Sequence, residues 1–396
     1  METNSRFIVE GLRSGVPYRE MAKTIAFGRE RNIAAVHRLM EQIEQEHPPK
    51  FPGYVLRAGY GEGKTHLLHS LWGFAESRNW VVSCVSVSKE TPLDRLDQLY
   101  PKLIENTYLP GSSQPGIAHI VAQALEGQLL AEARTMDFSP RVMALLDCLV
   151  IREEGYDELI ADLSGEFLGS AELKRMYRAN VGKILQLTRT SLREEAFEYM
   201  RLVDWLIHKA GFGGWLILVD EVELIGKLGR GARSHAYANM GRMLSGSLPY
   251  ALSVWALASH YHGDVLIGRH DREECPAWLA SRQKEAFQVP WAETALEALT
   301  ESKLLEPLSV EDIQSLLKQI VDLHQTAYQW QAPFTANELY AQVRQFAPTQ
   351  DTRLRTIVRL SLTILDIWDQ YGEAPVIEYM NPLEEQSIEE EPEASG

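Results

Sequence analysis

The chain has 396 residues, 45% of them apolar, which is enough to bury a core in two or three domains and argues against a disordered protein. Its net charge of −16, from 39 basic and 55 acidic residues, argues against a surface that binds nucleic acid over its whole extent. There is no apolar signal segment, and no apolar run approaches the roughly 18 residues of a membrane span. We therefore expect a cytoplasmic protein without a membrane partner.

The cysteines and histidines show no pattern of metal ligands. Cys84, Cys148 and Cys275 are too far apart for a CxxC-type zinc site, and three cysteines cannot all pair within one chain. We expect free thiols in a reducing compartment. The remaining ligand candidates, His208, His235 and His262, lack ligand spacing with one another and with the cysteines, so we expect no structural zinc.

The first part of the chain alternates helical and extended patterns. Residues 29–46 have apolar side chains at helical spacing, and the sequence His47-Pro48-Pro49 ends that helix. A short extended run at 53–57 leads into a glycine-rich loop, followed by a helix at 65–76 and a buried strand at 80–87. Strand, glycine-rich loop, helix and strand is the order that begins a parallel α/β sheet.

The middle of the chain interrupts this sheet and then resumes it. Residues 92–210 are almost wholly helical in pattern, which predicts a large helical insertion. Two apolar runs, at 215–219 and 252–258, are typical of central strands. Residues 1–290 are thus predicted to form one α/β core that contains the insertion at 92–210.

The last part of the chain is predicted to be a separate helical domain over residues 291–383. Two capping boxes, Ser309 with Asp312 and Thr335 with Glu338, mark helix starts, and an amphipathic helix is predicted from about 352 to 370. Residues 384–396 carry six glutamates and no basic residue, so we expect a disordered acidic tail.

The glycine-rich loop at residues 58–65 fits the Walker A pattern GxxxxGK followed by Ser or Thr, except that Ala58 replaces the first glycine. In such a loop the backbone N–H groups converge on a phosphate, Lys64 reaches the β and γ oxygens, and Thr65 ligates magnesium. The alternative is a glycine-rich turn that happens to precede a lysine. The predicted nucleotide-binding residues here are Ala58, Gly59, Tyr60, Gly61, Glu62, Gly63, Lys64, Thr65 and His66.

An acidic pair follows the apolar strand at 215–219. Asp220 would hold the magnesium ion, and Glu221 would accept a proton from the attacking water. The alternative is a pair of solvated charges at a strand end. With the loop upstream, the pair predicts a Walker B motif and hydrolysis of ATP with Mg²⁺.

Residues 24–33 (TIAFGRERNI) resemble the entry motif of origin-recognition-like and STAND-like AAA+ ATPases. In those families the segment packs near the adenine, which would make Gly28, Arg29 and Glu30 nucleotide-proximal. A solvated Arg-Glu pair at a helix start is an equally good interpretation of the same residues.

Three further segments, 59–68 (GYGEGKTHLL), 81–100 (VVSCVSVSKETPLDRLDQLY) and 211–226 (GFGGWLILVDEVELIG), resemble the P-loop proteins of BREX phage-defence systems that are often called BrxD. The resemblance spans roughly residues 6–370. It implies an AAA+ type P-loop NTPase of the α/β class, with a parallel sheet, the helical insertion and a C-terminal helical lid or winged-helix-like domain. It also implies a homo-oligomer formed with ATP, defence-system protein partners, and action on DNA or on a DNA-modifying complex.

By the same resemblance, three auxiliary positions of AAA+ enzymes can be assigned. Ser259, with His260 second, would be the sensor 1 residue that positions the water, although a serine capping a turn is the alternative. Either Arg353 or Arg355 would be the sensor 2 residue that contacts the γ-phosphate. An arginine finger acting on a neighbouring subunit would be Arg230 or Arg233, unless both lie in a solvated connector.

The sequence is compatible with three roles. The first is an ATP-driven motor or loader that acts on DNA or on a DNA-modifying complex. The second is a nucleotide-gated scaffold that recruits partners without touching DNA, which the acidic net charge favours. The third is a STAND-like switch that regulates transcription.

Overall fold

The computed structural model describes residues 2–15, 19–25, 28–125, 129–151, 154–188, 190–347 and 353–372. The strands are β1 (Gly53–Ala58), β2 (Val81–Ser86), β3 (Thr107–Tyr108), β4 (Trp215–Asp220), β5 (Ala251–Ala258) and β6 (Lys303–Leu304). The α-helices, in chain order, are α1 (Glu2–Ser14), α2 (Arg19–Thr24), α3 (Glu30–Glu44), α4 (Lys64–Ser77), α5 (Leu96–Glu105), α6 (Ala118–Ala124), α7 (Leu129–Ala133), α8 (Pro140–Ile151), α9 (Tyr156–Ala161), α10 (Ser170–Val181), α11 (Leu192–Lys209), α12 (Arg230–Leu244), α13 (Asp271–Ala280), α14 (Val289–Thr300), α15 (Val310–Tyr328), α16 (Ala336–Phe346) and α17 (Leu354–Tyr371).

The described residues form two compact units. The helical unit takes its residues from 1–29, 60–66 and 306–372, and the sheet unit takes them from 30–59 and 67–305. Each unit therefore combines segments that are distant in sequence. The domain boundary expected near residue 290 stays a prediction, as does the acidic tail at 384–396, which lies outside the described residues.

The sheet unit is built on six strands in the order β3-β2-β4-β5-β1-β6. Strands β2, β4, β5, β1 and β6 are parallel to one another. The predicted strands at 53–57, 80–87, 215–219 and 252–258 are confirmed. The expectation of a wholly parallel sheet is wrong at one edge, because β3 pairs with β2 in the antiparallel sense. Two residues are too few to show a strand pattern in the sequence.

Both faces of the central strands are covered, which explains why these strands are apolar throughout. Leu216 and Leu218 of β4 pack on one face with residues of α3 and α4. Trp215, Ile217 and Val219 of the same strand pack on the other face, with helices from α5 to α11 and with α12 and α14. Alternation along one strand thus divides the core of the sheet unit into two layers.

The helical unit has its own core. The apolar faces of α1, α15, α16 and α17 meet there, and the buried side chains include Ile8, Leu317, Val343 and Ile364. Both predicted capping boxes are confirmed at the starts of α15 and α16. Helix α17 is also confirmed, although its predicted start at residue 352 lies outside the described residues. Among the described helices, none combines the length and apolar composition that crossing a membrane requires.

Residues 92–210, which are predicted to be an insertion, hold helices α5 to α11 and contain a buried polar cluster. Arg141 on α8 forms an ion pair with Asp162 at 2.8 Å, and both side chains are almost completely buried. Tyr199 on α11 accepts from the Arg141 guanidinium and donates to Asp162. Because each charge has a partner, burial of this cluster is tolerated and fixes α8 against α11.

A second buried carboxylate in the sheet unit has much less support. Asp204 on α11 is fully buried and accepts one hydrogen bond, from the backbone N–H of Tyr250 at 3.2 Å. Its other oxygen has no hydrogen-bond partner among the described residues. Burial therefore raises the pKa of Asp204 from 3.8 to about 8, and the Tyr250 N–H opposes that shift only in part.

This pKa predicts a pH-dependent loss of stability that Asp204→Asn should remove. The folded state holds a proton on Asp204 that the unfolded state releases above pH ~4, so this group destabilises the fold as pH rises from ~4 to ~8. We expect the free energy of unfolding of Asp204→Asn, relative to wild type, to rise by more than about 1 kcal/mol between pH 5 and pH 8 in denaturant titrations. Removal of an exposed carboxylate by Asp157→Asn should give no such trend. If the free energies of unfolding of Asp204→Asn and wild type changed equally with pH, the raised pKa of Asp204 would be contradicted.

Candidate functional site

The phosphate loop, residues 58–65, begins where β1 ends at Ala58 and finishes in the first turn of α4, which starts at Lys64. Gly61 and Gly63 have φ angles of 75° and 92°, in the left-handed region that L side chains rarely adopt. Phosphate-binding loops use such glycines to direct backbone N–H groups at an anion, and the N-terminus of α4 adds a partial positive charge. The local conformation thus suits an anion.

Within the helical unit, the loop packs against the start of α17. The backbone N–H of Arg355 donates to the carbonyl of Gly61 at 3.2 Å, and the Arg355 guanidinium donates to the Tyr60 hydroxyl at 2.6 Å. The guanidinium groups of Arg355 and Arg353 lie 4.7 and 5.7 Å from the centre of the Tyr60 ring. Both sensor 2 candidates therefore contact the loop through one tyrosine.

Arg29 holds the other side of the loop. Its guanidinium is buried and donates to the carbonyls of Glu62, at 2.8 Å, and Glu306, at 2.6 Å. The preceding Gly28 has a φ of 51°, and a Cβ there would lie within 3 Å of Leu308 and Asp312. Arg29 therefore links the phosphate loop to the segment that leads into α15. Whether Gly28, Arg29 and Glu30 lie near an adenine stays a prediction.

In the sheet unit, the acidic pair lies at the carboxyl end of β4. Asp220 is 5% exposed, and its carboxylate accepts a hydrogen bond from the backbone N–H of Glu221 at 2.8 Å. Glu221 is exposed and has a left-handed φ of 56°, which is unusual for a residue other than glycine. Its side chain is therefore accessible at the point where the strand turns into the 3-10 helix Val222–Lys227.

The neighbouring strand β5 ends beside β1. The backbone N–H of Ser259 donates to the carbonyl of Ala58 at 2.9 Å, so the sensor 1 candidate is attached to the residue from which the phosphate loop starts. On the other side of β5, the N–H of Ala258 donates to the carboxylate of Glu223 at 3.0 Å. His260, the second candidate, is exposed.

Helix α4 carries two histidines, His66 and His69, and only His66 was predicted to belong to the site. His66, predicted to contact nucleotide, is buried within the helical unit. His69, which the sequence analysis missed, lies in the sheet unit, and the negative charge of Asp220 acts on it. Burial lowers the pKa of His69, and Asp220 only partly opposes that shift, so the imidazole is mainly neutral near pH 7. The sequence offered one indication of His69, because this histidine follows the end of the loop by one helical turn.

The two arginine-finger candidates have different surroundings. Arg233 is buried, donates to both oxygens of Asp271 at 2.7 Å, and also donates to the carbonyl of Leu228. Tyr237 donates to the same carboxylate, so Arg233 is a part of the core. Arg230 is 56% exposed in its side chain and pairs with Glu274 on the surface. Of the two, Arg230 is the accessible one.

The sheet topology, the loop between β1 and α4 and the acidic pair that ends β4 are compatible with a P-loop NTPase. A family model described as BREX system ATP-binding protein BrxC/D matches residues 1–134 and 128–383. Because these ranges span most of the chain, the protein belongs to the BREX system ATP-binding family that comprises BrxC and BrxD. The BREX part of the resemblance seen in the sequence is thereby confirmed. No match to the chain was found among curated proteins.

The contact between Gly61 and Arg355 predicts the effect of a single methyl group. In Gly61→Ala the new Cβ would lie 3.3 Å from the Arg355 Cβ, which is tighter than an ordinary van der Waals contact, so we expect the contact to shift and ATP affinity to fall about tenfold. Binding of a fluorescent ATP analogue measures this effect.

Gly111→Ala is the matched control. Gly111 has a nearly identical φ of 74°, and among the described residues, its two chain neighbours aside, no atom lies within 4 Å of the position that an alanine Cβ would take there. The substitution therefore has the same backbone cost of about 1–2 kcal/mol without the steric contact. It should lower the melting temperature and leave ATP affinity unchanged. Equal ATP affinities of the two variants would contradict this account of the loop.

Proposed function

We propose that the protein is a magnesium-dependent ATPase of the AAA+ type that serves phage defence. The observation that carries the proposal is the acidic pair at the carboxyl end of β4, with Asp220 buried and Glu221 accessible, in a member of an ATP-binding family. In parallel α/β sheets, ligands bind at the carboxyl ends of the strands. A solvated pair would not require the burial of Asp220.

ATP would bind through the phosphate loop. The backbone N–H groups of residues 59–65 and the N-terminus of α4 would surround the β-phosphate, and Lys64 would neutralise the β and γ oxygens. Thr65 and Asp220 would hold Mg²⁺, and their hydroxyl and carboxylate oxygens are the hard donors that this ion prefers. The bound ion would neutralise charge on the phosphates.

Hydrolysis would then depend on four side chains. Glu221 would accept the proton of the attacking water, and the Ser259 hydroxyl would orient that water. Arg353 or Arg355 would contact the γ-phosphate, and the bonds of Arg355 to Tyr60 and Gly61 favour Arg355 as the residue that responds to the loop. Loss of the γ-phosphate would change those contacts and move α17, as in other nucleotide switches.

The work coupled to hydrolysis would be that of a motor or loader acting on DNA or on a DNA-modifying complex. ATP would favour a homo-oligomer, with Arg230 as the accessible finger candidate, and defence-system proteins would be the partners, in the cytoplasm. The alternative is a nucleotide-gated scaffold or STAND-like regulator that does not touch DNA. The net charge of −16 favours this alternative.

Two substitutions test the enzymatic proposal. Lys64→Ala should abolish ATP binding, because the loop loses the cation that neutralises the phosphates. Glu221→Gln should bind ATP normally and hydrolyse it about 100-fold to 10,000-fold more slowly, because the amide cannot accept the proton. Equilibrium binding and steady-state phosphate release measure the two effects, and Lys50→Ala, at an exposed lysine, controls for loss of one charge. Turnover by Glu221→Gln at the wild-type rate would show that Glu221 is not the base.

A further inference from the structure

Glu223 occupies an unusual place at the end of β5. Its carboxylate accepts the backbone N–H of Ala258, the last residue of that strand, at 3.0 Å. The pairing of β4 with β5 stops at Val219 and Trp255, three residues earlier, because the chain after Asp220 leaves the sheet as the 3-10 helix Val222–Lys227. A side chain therefore replaces the missing strand partner of a buried N–H group.

Ser259, the first residue after β5, is bonded in the opposite direction. The N–H of Ser259 donates to the carbonyl of Ala58 on β1 at 2.9 Å, as successive N–H groups of a strand alternate between neighbours. Two consecutive residues thus connect the end of β5 to residues 220–223, here called the acidic segment, on one side and to the start of the phosphate loop on the other. These two bonds fix the position of the Ser259 backbone.

The acidic segment is itself short and constrained. Glu221 and Glu223 are two residues apart, and the N–H of Leu224 donates to the carbonyl of Glu221 at 3.0 Å, which closes the first turn after the strand. Glu221 has a left-handed backbone there, so its orientation depends on how that turn is held. The hydrogen bond between the Glu223 carboxylate and the Ala258 N–H therefore fixes Glu221 and Ser259 relative to each other.

We infer that Glu223 is a positioning residue for hydrolysis, which keeps the Glu221 carboxylate and the Ser259 hydroxyl at a fixed separation. The inference rests on the proposed ATPase function. Glu223 acts through these two residues, and its carboxylate is engaged by a backbone donor. A displacement of about 1 Å between catalytic groups can reduce a rate about 100-fold, whereas nucleotide affinity depends mainly on the phosphate loop.

The test compares Glu223→Ala, Glu223→Gln and wild type in the full-length protein, with kcat from phosphate release and Kd for a fluorescent ATP analogue. Glu223→Ala should lower kcat at least about tenfold and change Kd by less than about twofold. Glu223→Gln keeps an oxygen that accepts the Ala258 N–H, so its kcat should stay within about threefold of wild type. Lys227→Ala, in the same 3-10 helix, is the matched control and should change neither quantity.

Each other result overturns the inference. Wild-type kcat in Glu223→Ala would show that the bond has no role in turnover, and equal losses in Glu223→Ala and Glu223→Gln would implicate charge in place of the bond. Parallel losses of kcat and affinity would indicate a purely structural role. If Glu223→Ala does not fold, Glu223→Asp replaces it in the test, because its carboxylate is withdrawn by one methylene. Glu223→Asp should lower kcat at constant Kd. An unchanged kcat in Glu223→Asp would refute the inference. Absence of turnover in wild type would instead refute the ATPase proposal, and the inference with it.

Discussion

Parallel pairing of β4, β5 and β1 is the constraint on which the candidate site depends. The register sets Val219 beside Trp255 and Ala258 beside Ala58, so the carboxyl ends of the three strands lie at the same edge of the sheet. The chain carries its polar groups at these ends, after strands that are buried on both faces. Burial therefore fixes the strands, and the strand ends orient the polar side chains.

The phosphate loop depends on a second set of contacts, within the helical unit. Arg29 donates to the carbonyl of Glu62 from the N-terminal part of the chain, and Arg355 binds Tyr60 and Gly61 from the C-terminal part. The loop conformation is thus held by side chains that lie about 30 to 300 residues away in sequence. Nucleotide binding and the position of α17 are linked through these bonds in the proposed mechanism.

The sequence predicted the features that have a local cause. Apolar runs revealed the central strands, glycine spacing revealed the loop, and Ser309 and Thr335 revealed helix starts through their capping boxes. Features caused by distant contacts were missed. Strand β3 is two residues long, and the bonds of Tyr60 to Arg355 and of Glu223 to Ala258 join residues 295 and 35 positions apart. No periodicity encodes such pairs, because they depend on the register of the sheet and on the packing of each unit.

The effect of magnesium on ATP affinity, compared between wild type and Asp220→Asn, tests the central claim that the loop and the acidic pair serve one nucleotide. Titrations of both proteins with ATP, in Mg²⁺ and in a chelator, measure it. If Asp220 helps to hold the ion, Mg²⁺ should tighten ATP binding to wild type by about tenfold or more, and this gain should largely disappear in Asp220→Asn. An equal gain in both proteins would contradict the account, as would the failure of wild type to bind ATP.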